Sequence, residues 1–278
     1  VPSNEQRRQA AKRKLERQLA RRAERAKRRR IWGVSLTVIV VVAVVGVVYW
    51  IVNLGPDDSE AATNPTDEPS ANTTKGPCGY AKSPAEAPAK DVGMPDDPAQ
   101  TPKTGTVKVT LTTSQGVIPL TLDRAKAPCT VQSIEFLAKK KFYDKTPCHR
   151  ITANQGLKVL QCGDPQGTGG GGPGFTIPDE LPTDLAQGPA GPDGSPSSIY
   201  PRAALAMANG GPNSGGSQFF MVYGDSTLPP NYTVFGTVDA PGLTVLDKIA
   251  AGGITPGQNG PEDGAPKLPV TIETAAVK

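Results

Sequence analysis

Residues 31–52 contain no charged side chain. As a helix, a run of this length is about 33 Å long, enough to cross the hydrocarbon core of a bilayer. Trp32 stands at one end and Tyr49 and Trp50 at the other, the positions of an aromatic belt. Arg28, Arg29 and Arg30 abut its start, while Asp57, Asp58 and Glu60 follow its end. The positive-inside rule then puts the N-terminus in the cytoplasm and everything after residue 55 outside. The apolar run is longer than a signal-peptide core, and no Ala-x-Ala-like site closes it. The expectation is an uncleaved signal anchor over 31–54 in a single-pass protein of the cell membrane. It divides the chain into parts that meet different solvents.

Charge follows the same division. Residues 1–30 hold thirteen Lys/Arg against three Asp/Glu. They are free of Gly and of Pro beyond residue 2, and are built from good helix formers whose only large apolar residues past the first are Leu15 and Leu19. Such a basic helical arm has no core of its own to join, so anionic lipid headgroups are its expected partner, with RNA or a cytoplasmic protein as the alternative. Residues 55–103 reverse the balance, four Lys/Arg against nine Asp/Glu, and are rich in Pro, Ala, Asp, Ser and Thr. With few large apolar residues besides Val92 and Met94, they read as a flexible linker. Residues 104–278 are nearly neutral, thirteen against fourteen, which argues against nucleic acid as a partner of the main domain.

Within 104–278, Val107, Val109 and Leu111 alternate, and Ile118, Leu120 and Leu122 alternate again after Ser114-Gln115-Gly116. That is a hairpin with one buried face. Residues 130–140 put Val131, Ile134, Leu137 and Ala138 on one helical face. Short strand-like runs follow at 148–151, 157–161, 204–208, 218–223 and 233–238. A second helix spans about 243–251, stopped by Gly252-Gly253, before a closing strand with Val270 and Ile272. Many short strands with two helices predict a mainly β domain whose sheet closes into an antiparallel barrel and so removes its edges.

Several familiar chemistries are excluded. Gly167-Thr168-Gly169-Gly170-Gly171-Gly172 fits a dinucleotide-loop spacing but lacks the helix and the acid of a βαβ unit. Gly216-Ser217-Gln218 is not a nucleophile elbow. No C-x-x-C pair exists, and His149 is the sole histidine, so no metal site is expected. His149 precedes Arg150 on a strand, so the two side chains point to opposite faces, and His149 reads as a packed structural residue. The four cysteines, 78, 129, 148 and 162, lie on the exported side, where an even number favours disulfides with three possible connectivities. Pairing Cys148 with Cys162 follows if their strands are neighbours, and that leaves Cys78–Cys129 to staple the linker to the domain.

Linked motifs then carry a resemblance. Phe142-Tyr143-Asp144, Thr146, Cys148-His149-Arg150-Ile151, Gln161-Cys162-Gly163-Asp164-Pro165, Pro173-Gly174-Phe175, Met207-Ala208-Asn209, Gly216-Ser217-Gln218-Phe219-Phe220 and Tyr232-Thr233-Val234-Phe235-Gly236 stand in the order found in cyclophilins. The chain resembles that family of peptidyl-prolyl cis–trans isomerases across 104–278. The resemblance implies an eight-stranded barrel capped by two α-helices, with a groove on its outer surface for proline-containing polypeptides and no cofactor. It implies Arg150 and Gln218 as catalytic residues. Gln161, Ala208, Asn209, Phe220, Leu228, Tyr232 and Val159 would bind substrate, with Phe220, Leu228 and Val159 walling the proline pocket. The chain departs from the family in running longer between Arg150 and Gln161, where Leu157-Lys158-Val159 takes the place of a Phe–Met pair.

The chemistry suits those residue types. Rotation about an X–Pro bond faces a barrier of about 18–20 kcal/mol set by partial double-bond character. Lowering it needs a donor aimed at the imide nitrogen, and a guanidinium is a rigid, always-charged donor. Two functions are therefore expected in turn: an isomerase assisting exported proteins to fold, or a proline-peptide binding module or scaffold with little catalysis.

Overall fold

The computed structural model describes residues 73–83, 87–191 and 193–278. The basic arm, the apolar run of 31–54 and the start of the linker lie outside the described residues. Among those that are described, no helix is long and apolar enough to cross a membrane.

The alternation read at 107–122 becomes β2 (Thr106–Thr113) and β3 (Gly116–Asp123), antiparallel partners in which Val109 faces Leu120 and Leu111 faces Ile118. Helix α1 (Pro128–Lys139) buries Val131, Ile134, Leu137 and Ala138 as its spacing predicts. It starts two residues early because Pro128 suits a first helical turn. The Glu180 carboxylate accepts hydrogen bonds there from the backbone N–H of Cys129 (3.0 Å) and Thr130 (2.8 Å), meeting the positive end of the helix dipole.

The remaining strands are short: β4 (Thr146–Pro147), β5 (Arg150–Thr152), β6 (Lys158–Cys162), β7 (Phe175–Thr176), β8 (Ser198–Tyr200), β9 (Ala204–Met207), β10 (Phe219–Gly224), β11 (Ser226–Leu228) and β12 (Val234–Val238). After α2 (Ala240–Ala251) come β13 (Ile254–Gly257), β14 (Gly260–Pro266) and β15 (Thr271–Val277). Eleven strands form one antiparallel sheet in the order β13-β14-β5-β6-β10-β9-β12-β3-β2-β15-β4. This corrects the closed eight-stranded barrel: the ladder is a curled sheet with two ends, β13 and β4. Only Cys148 and His149 separate β4 from β5, so there the backbone itself spans the gap between sheet end and sheet interior.

The β13–β14 hairpin was not foreseen, because residues 254–266 are dominated by Pro, Gly and acidic residues that read as a loop. Its glycines let the two backbones meet: a Cβ on Gly264 would lie 2.1 Å from the Thr255 carbonyl oxygen. The linker also differs from expectation. From residue 73 onward it packs on the domain as a strap, whose β1 (Ala81–Lys82) pairs with β7. Cys78 is bonded to Cys129, and the buried Tyr80 donates its hydroxyl to the Cys129 carbonyl at 2.7 Å. Asp97 accepts from the backbone N–H of Cys78 (3.0 Å) and Gly79 (2.9 Å). Composition averaged over 55–103 hid these few strong attachments.

The sheet has two apolar faces. Leu111, Ile118, Leu122, Leu137, Phe142 and Phe219 belong to the main core under the helices. Val159, Tyr200, Ala206, Phe220, Val222 and Val234 form a second cluster.

Candidate active site

Strand register builds the site. Arg150 on β5 stands opposite Gln161 on β6, Gln161 opposite Phe220 on β10, and Phe220 opposite Ala206 on β9. Directly opposed residues project from the same face of a sheet, so these four form a row across adjacent strands. Phe219, one residue away, turns to the main core. Cys148 and Cys162 are disulfide-bonded and tie together the segments that carry Arg150 and Gln161.

A chain of hydrogen bonds links the polar members of the row, Arg150 and Gln161, to Gln218, and these three form a polar row. Arg150 Nη1 donates to Gln161 Oε1 at 3.1 Å, and Gln161 Nε2 donates to Gln218 Oε1 at 2.9 Å. Gln218 Nε2 in turn donates to the carbonyls of Gly169 (2.9 Å) and Gly171 (3.0 Å). On the other side, Arg150 Nε and Nη2 reach the two oxygens of Asp263 at 2.7 and 2.8 Å. That fork raises the affinity of the guanidinium for its proton, against the opposing effect of partial burial, and pulls the Asp263 carboxyl below the ordinary carboxylate range. The arginine side chain is still 34% exposed.

Beside this polar row lies the apolar wall. Val159, Phe220, Leu228, Tyr232 and Ala208 all belong to the second cluster, together with Leu157. The Phe220 and Tyr232 rings meet edge-on with centroids 5.6 Å apart, and Tyr200 braces both from behind at 6.4 and 6.2 Å. Burial pushes the Tyr200 phenol up to about 12. Asn209 and Ala208 line a recess next to Gln161 and Gln218, with the glycine-rich loop opposite. The Asn209 amide donates to the Asn231 carbonyl at 2.8 Å.

The glycine-rich loop hangs on Asp164, which is fully buried. Its oxygens accept from the N–H groups of Gln166, Thr168 and Gly169, each at 2.8 Å. Burial works to raise this carboxyl, but those donors hold it below its usual value. A Cβ on Gly171 would lie 2.0 Å from Asp164 Oδ1, so glycine is needed where the loop closes over its anchor. His149 packs against the glycine-rich loop: its Nε2 lies 3.5 Å from where a Cβ of Gly169 would stand, and its buried Nδ1 has no hydrogen-bond partner among the described residues. No group of His, Cys, Asp and Glu that could hold a metal ion occurs among the described residues.

All nine residues named from the sequence therefore come to one surface, along two lines: Arg150, Gln161 and Gln218 in the polar row, the others on the apolar wall and recess. Asp263 was missed. It belongs to the unforeseen hairpin, and no spacing in the sequence links it to Arg150.

Comparison with known proteins finds a family and relatives that the chain resembles. The family described as cyclophilin type peptidyl-prolyl cis-trans isomerase/CLD matches residues 108–277. A Mycobacterium leprae protein named "Probable peptidyl-prolyl cis-trans isomerase B" is 44% identical, over 99% of this chain and 99% of its own. The Mycobacterium tuberculosis protein of the same name is 46% identical over 98% of this chain and 93% of its own. A crystal structure of a Cryptosporidium parvum cyclophilin type isomerase aligns with a TM-score of 0.49 at 25% identity, covering 63% of this chain and 98% of that one.

Proposed function

The chain belongs to the cyclophilin-type peptidyl-prolyl cis–trans isomerases, and from that membership we propose that it turns X–Pro bonds in polypeptides outside a membrane, with Arg150 and Gln218 as its catalytic residues. The enzyme class follows from the family; the site assignment is supported by the register that aligns Arg150, Gln161 and Phe220 across three neighbouring strands. A proline ring seated against Phe220, with Val159 and Leu228 as flanking walls, brings its imide nitrogen within reach of the guanidinium. Donation to that nitrogen draws its lone pair out of conjugation, and the C–N bond loses double-bond character as it twists. Gln218 holds the substrate backbone near the rotating carbonyl, and Asn209 supplies main-chain contacts that keep the rest of the peptide still. No bond is made or broken, so the reaction asks for no cofactor or metal.

Location rests on the sequence. The uncharged run of 31–52, with arginines before it and acids after it, supports a single anchor with a cytoplasmic basic arm against anionic headgroups and an external isomerase domain. Four cysteines all joined in disulfides fit an oxidising compartment. Clients are then exported chains that fold there. Protease added to intact cells is expected to digest the domain and spare the arm; a domain protected until lysis overturns this topology.

Exchange spectroscopy or a protease-coupled assay on an X–Pro peptide tests the catalytic reading. Preorganised donors contribute about 3–4 kcal/mol to such transition states, so Arg150→Ala is expected to lower kcat/KM by roughly 100-fold or more. A binding module or scaffold predicts equal, background-level rates for both proteins.

A further inference from the structure

We propose that Asp263 is a positioning residue for isomerisation, holding the Arg150 guanidinium in the plane from which its remaining N–H groups meet the substrate nitrogen. The proposal rests on the reading of Arg150 given above and adds a residue outside the row that the sequence motifs mark. A guanidinium has five N–H donors. Nε–H and one Nη2–H go to Asp263, and one Nη1–H goes to Gln161. One donor on Nη1 and one on Nη2 are left for a ligand. An unrestrained arginine samples many rotamers, and a bidentate carboxylate removes that freedom by fixing both the position and the plane of the fork.

Asp263 is itself built in. It faces Thr152 across the β14–β5 ladder, two residues along β5 from Arg150 and hence on the same face. Its side chain is only 13% exposed, and Asn259 from the hairpin turn donates to Oδ2 at 3.2 Å. The glycines at 257 and 264 allow the tight hairpin that delivers it. A carboxylate so close also offsets part of the positive charge that attracts the nitrogen lone pair. The two effects differ in size: misplacement of a reacting group by an ångström costs on the order of 100-fold, so alignment outweighs the offset.

The test uses the full chain and compares wild type, Arg150→Ala, Asp263→Ala, Asp263→Asn and the exposed neighbour Glu262→Ala, measuring kcat and KM separately. Asp263→Ala is expected to lower kcat by about tenfold while KM stays within about twofold, the pattern of an interaction needed in the transition state. Asp263→Asn, with one acceptor oxygen retained, is expected between Asp263→Ala and wild type, and Glu262→Ala at the wild-type rate. The nitrogen-15 signal of Arg150 Nε–H is expected to be sharp in wild type and lost to exchange in Asp263→Ala, a change that general loosening of the fold does not confine to one side chain. If Asp263→Ala turns over as fast as wild type, or faster, the positioning role is wrong while the role of Arg150 stands. If Arg150→Ala matches wild type, the reading of the arginine fails and the positioning role falls with it. Should Asp263→Ala not fold, the isosteric Asp263→Asn decides by the same criteria: reduced kcat supports the role and unchanged kcat removes it.

Discussion

His149 and Arg150 are adjacent in the chain and differ in everything that matters for function. Arg150 is about one-third exposed in the polar row; His149 sits under the glycine-rich loop with a ring nitrogen unpartnered among the described residues. Burial holds the imidazole below its ordinary pKa of 6.5, with Asp164 pulling the other way and Arg150 reinforcing the effect. The folded state thus binds a proton less readily than the unfolded one, so stability is full above about pH 6.5 and declines as pH falls below it. Replacing His149 with Gln is expected to flatten that decline between pH 7 and pH 5 in denaturant titrations; an unchanged slope means His149 is not its source. The carboxylates do not confuse this window, since Asp164 and Asp263 are both held below 3.8 and lose their stabilising effect only in stronger acid. Arg150, Gln161 and Gln218 were legible in the sequence because each sits inside a contiguous motif. Asp263 was not, since its partner lies 113 residues away and only three-dimensional pairing joins them.

At the level of elements, the alternating strands β2 and β3 were read within two residues, and the short run at 233–238 within one residue of β12. Helix α2 was read late by three residues, because Pro241 and Gly242 look like turn rather than first helical turn. What escaped were elements held by attachment instead of by an apolar face: the strap and the β13–β14 hairpin. Their stability comes from a disulfide, a buried tyrosine and close backbone contact, none of which has a periodicity. The Cys78–Cys129 bond closes a sequence separation of 51 residues and Cys148–Cys162 one of 14. Loop-closure entropy then assigns about 4 kcal/mol to the first and about 3 to the second. The double variant Cys78→Ser/Cys129→Ser is expected to lose stability of that order and to expose the strap to proteolysis before the sheet. A strap that stays protected points to Tyr80 and Asp97 as sufficient anchors.

For the molecule as a whole, the described residues from 73 onward belong to one compact unit, which begins well before the family match at 108. A fragment of 67–278 is therefore expected to isomerise an X–Pro peptide with kcat/KM within about twofold of the full chain, since no site residue lies outside it. A fragment starting at 104 leaves Cys129 without its partner and uncovers the surface under Tyr80, and it is expected to unfold earlier on heating. Equal melting of the two fragments contradicts a structural role for the strap.

The pairing of β2 with both β3 and β15 has a temporal side. β3 is made moments after β2, so one edge of β2 is satisfied almost at once. The other edge waits while every strand up to β15 is synthesised. Throughout that interval a row of backbone donors and acceptors stands open, a template on which a foreign strand can dock. Closure between segments so distant in sequence is also intrinsically slow. A peptidyl-prolyl isomerase is thus, during its own birth, subject to a slow closure of its own, and its exposure ends only with the arrival of β15.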